Sequence, residues 1–402
     1  MRVIIRGGRR FNSVQGKFED NKSLIVEGET IVSVDSVPET VSDGDCEVDA
    51  TGKTIMPGFI NLHGHLGWDG YSDLANQTES DGAMKYIKVA RGLQSAVEAG
   101  FTSFRDLGCV HDAGLIGRQA VRDGLLPGPT VYACGRPVCR TGGHIWQGCI
   151  EADGVAAIRE AIRKQARDGV DLVKLMAHGY SEEEVEAAVE TAKLEGLVVT
   201  TDAGTNARAA VVAGVDSIEH GGDYDDALIE MIAEKGLWII PTLSPMVQQY
   251  RHGAEWGMQE SVIQRRGEII EKGARQKVLA RARAKGVRIA FGTDSGSPVV
   301  PHGTVLPELE ALLEFGILDN EVEALQSLTI WAAECMGMLE KTGSLEAGKH
   351  ADITLVDGDL ENDLSSILNI DRVYVKGYPV VRGGQALLPD PRDFQEFVNV
   401  GA

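Results

Sequence analysis

Phe59-Ile60-Asn61-Leu62-His63-Gly64-His65 is a short apolar run that closes on two histidines separated by one glycine. Side chains two apart on an extended strand point to the same side, so both imidazoles can reach one cation from the strand's end. As a bare pattern an HxH pair is weak, because loop histidines are common. Its weight comes from residues further along the chain.

Downstream, apolar runs alternate with helical segments in the order of βα units. Strands are expected at 58–62, 101–106, 130–134, 170–175, 197–202, 215–219, 237–242 and 287–293. Helices such as Ser181 to Glu195, with apolar residues on one face and six glutamates on the rest, fill the gaps. Eight such units are the pattern of a parallel sheet closed into a (β/α)8 TIM barrel, about 250 residues in a typical case. The two ends have a different texture. Short β-like runs separated by Gly and Asp turns fill the first fifty residues and return at 351–356 and 373–381. The fold expected is α/β: a barrel at 57–344 and a small discontinuous β-sandwich domain made of 1–56 and 345–402.

Composition narrows the function. The net charge is −21, with 60 acidic against 39 basic side chains, which disfavours nucleic acid and anionic membranes as partners. No run of roughly 18 apolar residues occurs, and Met1 to Arg6 lacks the apolar core of a signal peptide; a cytoplasmic location is expected. The six cysteines have no CxxC spacing and read as buried thiols rather than disulfides or ligands.

Three further residues stand at strand ends. In Val170-Asp171-Leu172-Val173-Lys174-Leu175-Met176 a lysine interrupts a run expected to be buried. Burial favours its neutral amine. A neutral amine can take up carbon dioxide as a carbamate, whose two oxygens can bridge cations about 3.5–4 Å apart; a lysine snorkelling to the rim is the alternative. Ser217-Ile218-Glu219-His220-Gly221-Gly222 and Ala290-Phe291-Gly292-Thr293-Asp294-Ser295-Gly296 each place a ligand-type side chain at a strand's C-terminal end, with glycine to turn the chain. Asp294 can both ligate a metal and take a proton from a nucleophilic water.

HxH, a strand-interior Lys, a His and an Asp thus arrive at the ends of strands one, four, six and eight. In this the chain resembles the amidohydrolase superfamily. The resemblance spans nearly the whole chain, through PGFINLHGH, VDLVKLMA, GVDSIEHG, FGTDSG and the tail Gly343 to Ile353. Arg140-Thr141-Gly142-Gly143-His144, after strand three, points to the branch of metal-dependent Xaa-Pro dipeptidases and N-acyl amino acid hydrolases. The resemblance implies that His63, His65 and Asp294 hold one metal. It implies too that carboxylated Lys174 bridges to a second, held by His220 and a strand-five histidine, and that His144 contacts the substrate's carbonyl or carboxylate.

At strand five the chain departs from that pattern: Leu197-Val198-Val199-Thr200-Thr201-Asp202 ends in an aspartate where the family has histidine. Three readings stand. Asp202 replaces the imidazole as an oxygen ligand, which suits Mn²⁺ or Fe²⁺ beside the Zn²⁺ otherwise expected; or the second metal is lost; or His178 reaches across. The first is preferred because Asp202 keeps the inward strand phase. Charge allows it, since two divalent cations are balanced by Asp202, Asp294, the carbamate and a hydroxide.

The expectation is therefore a hydrolase that cleaves an amide bond of a small N-acyl or N-carbamoyl amino acid or dipeptide by a metal-activated hydroxide, with Asp294 moving the proton and Arg140 or His144 meeting the carboxylate. Ring deamination, which would release ammonia from nucleobases, is an alternative that Lys174 argues against. A third is a scaffold protein that has lost catalysis. Tyr180, Arg208, Tyr250 and His302 lie in loops after strands without a spacing that assigns a role. A homo-oligomer is expected from general priors.

Overall fold

A computed structural model describes residues 2–35, 42, 44–73 and 82–390. Strand one, Phe59–Gly64, is buried along its whole length, as is strand two, Phe101–Asp106, which pairs with it in parallel. Strands buried on both faces read as continuous apolar runs, which is why the sequence displays them so clearly. Strand three is Thr130–Ala133, four Leu172–Met176, five Val198–Asp202, six Ser217–Glu219, seven Trp238–Ile240 and eight Arg288–Ile289, all pairing in parallel. Strand eight is shorter than 287–293 because its ladder with strand seven ends at the bond from Ala290 N to Ile239 O; the N–H of Phe291 turns to the carbonyl of Ser327. Helices follow most of the strands. Glu182–Leu194 buries Val185, Ala188, Val189 and Ala192 and leaves its glutamates in water, and Ser181 and Glu184 close a reciprocal capping box at its start.

The expected closed barrel is observed as two parallel sheets, one of strands one to three and one of seven strands that contains four to eight. The cause lies after strand three. Gly135, at φ 67°, and Pro137 break the run, and its continuation Val138–Cys139 pairs with strand four at Leu175 and Met176 rather than continuing beside strand two. Backbone hydrogen bonds cross both seams: Asp171 N to Ala133 O at 2.9 Å between the strand-three and strand-four segments, and Leu62 N to Phe291 O at 3.2 Å, Asp294 N to His63 O at 2.8 Å and His65 N to Ser295 O at 2.8 Å between the strand-one and strand-eight segments.

Strands from the two ends of the chain share one mixed sheet of nine strands. Lys53–Pro57 links them, pairing in parallel with Arg2–Asn12 and antiparallel with Ile353–Asp357. This corrects the expected sandwich, which needs two facing sheets; here one continuous ladder runs through both segments. Residues 391–402 of the expected second segment lie outside the described residues. The sheet is tied to the parallel strands by Gly58 N to Asp352 O and Thr354 Oγ1 to Gly100 O, both 2.9 Å. All six cysteines are free. Among the described residues no helix is long and apolar enough to cross a membrane.

Candidate metal centre

His63, His65 and Asp294 converge, with donor atoms that all lie within 4.8 Å of one another. Asp294 Oδ1 stands 3.5 Å from His63 Nε2 and 3.1 Å from His65 Nε2. The strand ends are shaped for this. Asp294 and His220 both adopt left-handed backbone, at φ 55° and 64°, a conformation that costs a non-glycine residue on the order of 1 kcal/mol or more and that gathers at functional sites.

The other ring nitrogens fix the tautomers. His63 Nδ1 donates to Glu219 Oε2 at 2.6 Å, and His65 Nδ1 donates to the carbonyl of Gly108 at 2.7 Å. His220 Nδ1 meets Thr242 Oγ1 at 2.5 Å; the Thr242 hydroxyl proton is given to the Pro241 carbonyl, so the imidazole must be the donor. In all three rings Nδ1 is the donor to a neighbouring oxygen and Nε2 is the other ring nitrogen, the arrangement of metal-ligating histidines.

That arrangement tests whether a cation fits. Burial, helped by the charge of Lys174, pushes His63 well below its ordinary pKa, so it is held neutral. Burial acts to raise Asp294, but the surrounding imidazoles outweigh it and hold its carboxyl well below the usual range. His63 Nε2 and His65 Nε2 thus face one carboxylate oxygen of Asp294, at 3.5 and 3.1 Å. Two nitrogens with one oxygen, all within 4.8 Å of one another, are a donor set for Zn²⁺, Mn²⁺ or Fe²⁺.

The same cavity is lined by Lys174, almost fully buried, by Asp202 and His144, and by His220, whose ring lies 4.7 Å from that of His63. Asp202 Oδ2 is 3.8 Å from His220 Nε2, while its Oδ1 bonds His178 Nε2 at 2.8 Å. The hydrogen bond to Asp202 raises the pKa of His178. Burial acts to raise Asp202, yet His178, His220 and Lys174 together hold it well below the carboxylate range. His178 therefore reaches toward the site, as one reading has it, but meets Asp202 and not the cavity; Oδ2 is the Asp202 atom left facing His220. Burial lowers the pKa of His144, whose ring lies 5.8 Å from that of His178.

The remaining loop candidates are placed elsewhere. Arg140 is exposed and bonds the Thr141 carbonyl, and Arg208 pairs with Asp225. Tyr180 donates to Ala152 O, Tyr250 packs on Gly267, and His302 is buried behind strand one with Nε2 3.1 Å from the His65 carbonyl. Of the two residues expected to meet the substrate, His144 lines the cavity and Arg140 does not. Two residues escaped the sequence reading. Glu219, fully buried, takes the His63 proton and is itself held by Arg105 at 2.7 Å and by the Thr200 hydroxyl. The signal was present: Glu219 and Arg105 are strand charges in inward phase, like Lys174. Glu308 is the other; it accepts from Leu243 N and Ser244 N, just beyond Thr242.

The cavity over these residues measures about 830 Å³. Its outer wall is more apolar, with Trp68, Met258 and Val299, and includes Tyr71 and Trp256, whose rings stack 5.3 Å apart at 4°. Gln249 and Arg266 also line it.

The chain matches the amidohydrolase family over residues 54–380. It is 29% identical over 365 residues to the ochratoxinase of Aspergillus niger, covering 78% of this chain and 71% of that one. It is similar to the structure of a Xaa-Pro dipeptidase with methionine bound in the active site, at TM-score 0.84 and 26% identity, covering 94% of this chain and 99% of that one. A prolidase complexed with N-methylphosphonate-L-proline gives TM-score 0.83 and 27% identity over 95% of this chain and 100% of that one.

Proposed function

This chain belongs to the amidohydrolase family and is a hydrolase acting on carbon–nitrogen bonds, and from that premise we propose that it cleaves, with a divalent metal, the amide bond of a small N-acyl or N-carbamoyl amino acid or a dipeptide. One observation carries the metal: three imidazoles held through Nδ1, two of them turning Nε2 to the Asp294 carboxylate. The substrate class is supported by relatives that hold methionine or an L-proline derivative, both small amino-acid ligands. We also read the two parallel sheets as one (β/α)8 barrel, 57–344, on the hydrogen bonds that cross both seams.

His63, His65 and Asp294 would hold one ion, and His220, Asp202 and a carboxylated Lys174 a second. Bound there, a divalent cation would polarise the scissile carbonyl and make water acidic enough to attack near neutrality. Asp294 takes the proton of the attacking water on its carboxylate and passes it to the leaving nitrogen. Glu219, Gly108 and Thr242 keep the three imidazoles in register. His144 faces the substrate.

Asp294→Asn is expected to lower turnover of N-acyl amino acids by about 10²–10⁴-fold while metal content stays nearly intact; an active Asn variant would remove the role. Loss of activity with chelator and its return with Zn²⁺, Mn²⁺ or Fe²⁺ tests the metal. A one-metal version is favoured by the hydrogen bond that His178 makes to Asp202. Elemental analysis separates the two: about two ions per chain, falling in Lys174→Ala, supports the bridged pair, whereas one ion, rising only in Asp202→His, supports the single site.

A further inference from the structure

We propose that Arg266 is the specificity residue of this cavity, reading a free carboxylate carried by the substrate beside the scissile amide. The inference deepens the amide-hydrolase reading and rests on it. Arg266 belongs to helix Glu260–Lys272, which buries none of its residues in the protein's interior. Val262 and Arg266, one turn apart on that helix, both line the cavity.

The guanidinium is aimed. Gln249, itself buried, gives its amide NH₂ to the carbonyl of Pro298 at 3.0 Å, which turns its Oε1 toward Arg266, and Arg266 Nε donates to that oxygen at 2.8 Å. Nε is thereby pinned, and the two terminal nitrogens are left as a fork. Among the described residues no carboxylate lies within ion-pair distance of that fork, although the protein carries 60 acidic side chains. Other arginines near the site are engaged: Arg105 with Glu219, Arg275 with the carbonyls of Pro241 and Thr242.

Burial draws the pKa of Arg266 down, and the one acid that pulls it back is Asp294, across the cavity. A half-buried cation without a partner is stabilised by an anion that brings its own charge. Arginine matches a carboxylate with two parallel hydrogen bonds, giving orientation as well as attraction. In a chain of net charge −21 such a fork is also what lets an anionic substrate settle near three aspartates, Asp73, Asp202 and Asp294, that line the same cavity.

The test compares N-acetyl-L-methionine with its neutral counterpart N-acetyl-L-methioninamide. Binding is measured by calorimetry on metal-loaded protein in the turnover-deficient Asp294→Asn background, with and without Arg266→Gln or Arg266→Lys, and kcat and KM are measured in the parent. The acid is expected to bind about 10- to 100-fold more tightly than the amide. Arg266→Gln removes that preference, raising KM far more than it lowers kcat, and Arg266→Lys restores part of it. Unchanged unfolding midpoints would show that both variants fold. Equal binding of the acid by Arg266→Gln, or no preference for the acid with Arg266 present, overturns the proposal. Arg266-dependent binding without hydrolysis of any amide upholds Arg266 and overturns the amide-hydrolase reading; hydrolysis indifferent to Arg266 does the reverse.

Discussion

Glu219 makes the site's chemistry depend on a residue that touches no substrate. Its carboxylate accepts from His63 Nδ1, so it decides which ring nitrogen is left as a lone pair. In Glu219→Gln an amide NH₂ can face Nδ1 and invite the opposite tautomer, which removes the lone pair from Nε2. Metal affinity is expected to fall by about 10–100-fold in chelator competition; unchanged affinity would mean that the hydrogen bond is incidental. A second residue has no room to change at all. A methyl group on Gly114 would stand 2.0 Å from Asp106 Oδ2, a fully buried carboxyl. Gly114→Ala should lower stability in urea by about 1–3 kcal/mol. At this scale the gathering of His63, His65, Lys174, Asp202, His220 and Asp294 around one cavity was legible, because strand phase and strand ends are local properties. The role of Glu219 was not, because it arises from a contact 156 residues away in sequence.

Among the elements, helix Glu182–Leu194 was the most legible, since its amphipathic face and capping box are written within fifteen residues. Ser181→Ala should cost about 1 kcal/mol in urea unfolding, and Ser181→Asn should recover most of it. Strand three was legible at Thr130–Ala133, but its continuation at Val138–Cys139 was not, for the opposite reason. Gly135 and Pro137 were visible, but that the chain resumes as a strand beside strand four depends on which partner has open hydrogen bonds, and no local pattern states that. The turn after strand seven carries a pH dependence. Burial pushes the Glu308 carboxyl up to about 7, against the pull of its bonds to Leu243 and Ser244. Between the ordinary value near 4.5 and about 7, the folded chain keeps a proton that the unfolded chain has released. Glu308's stabilising contribution is thus full below the lower value and lost as pH rises through the upper one. About 3 kcal/mol of stability should disappear over that window in metal-stripped protein, and Glu308→Gln should flatten the slope; parallel slopes in both proteins would exclude the effect.

At the scale of the whole molecule, the terminal sheet and the parallel strands share packing and do not merely adjoin. A single cluster of buried side chains runs from Phe11, Met56, Val356 and Val373 of the terminal segments to Val211 and Ile229 beside the parallel strands. The sequence showed two textures, and hence two regions, but texture says nothing of how much apolar surface the regions bury against each other. Shared burial on this scale couples their unfolding, because opening either region exposes the other's core to water. All five tryptophans, Trp68, Trp146, Trp238, Trp256 and Trp331, lie within 57–344. Tyr378→Trp, at a partly exposed site on Tyr378–Arg382, adds a reporter to the terminal sheet. In urea, the added signal and the five native ones should share one midpoint, and a version cut to 57–344 should not fold cooperatively. A separate, earlier transition at position 378 would show instead that the sheet is an independent unit, and that the apolar contacts between the two contribute little to holding the site in place.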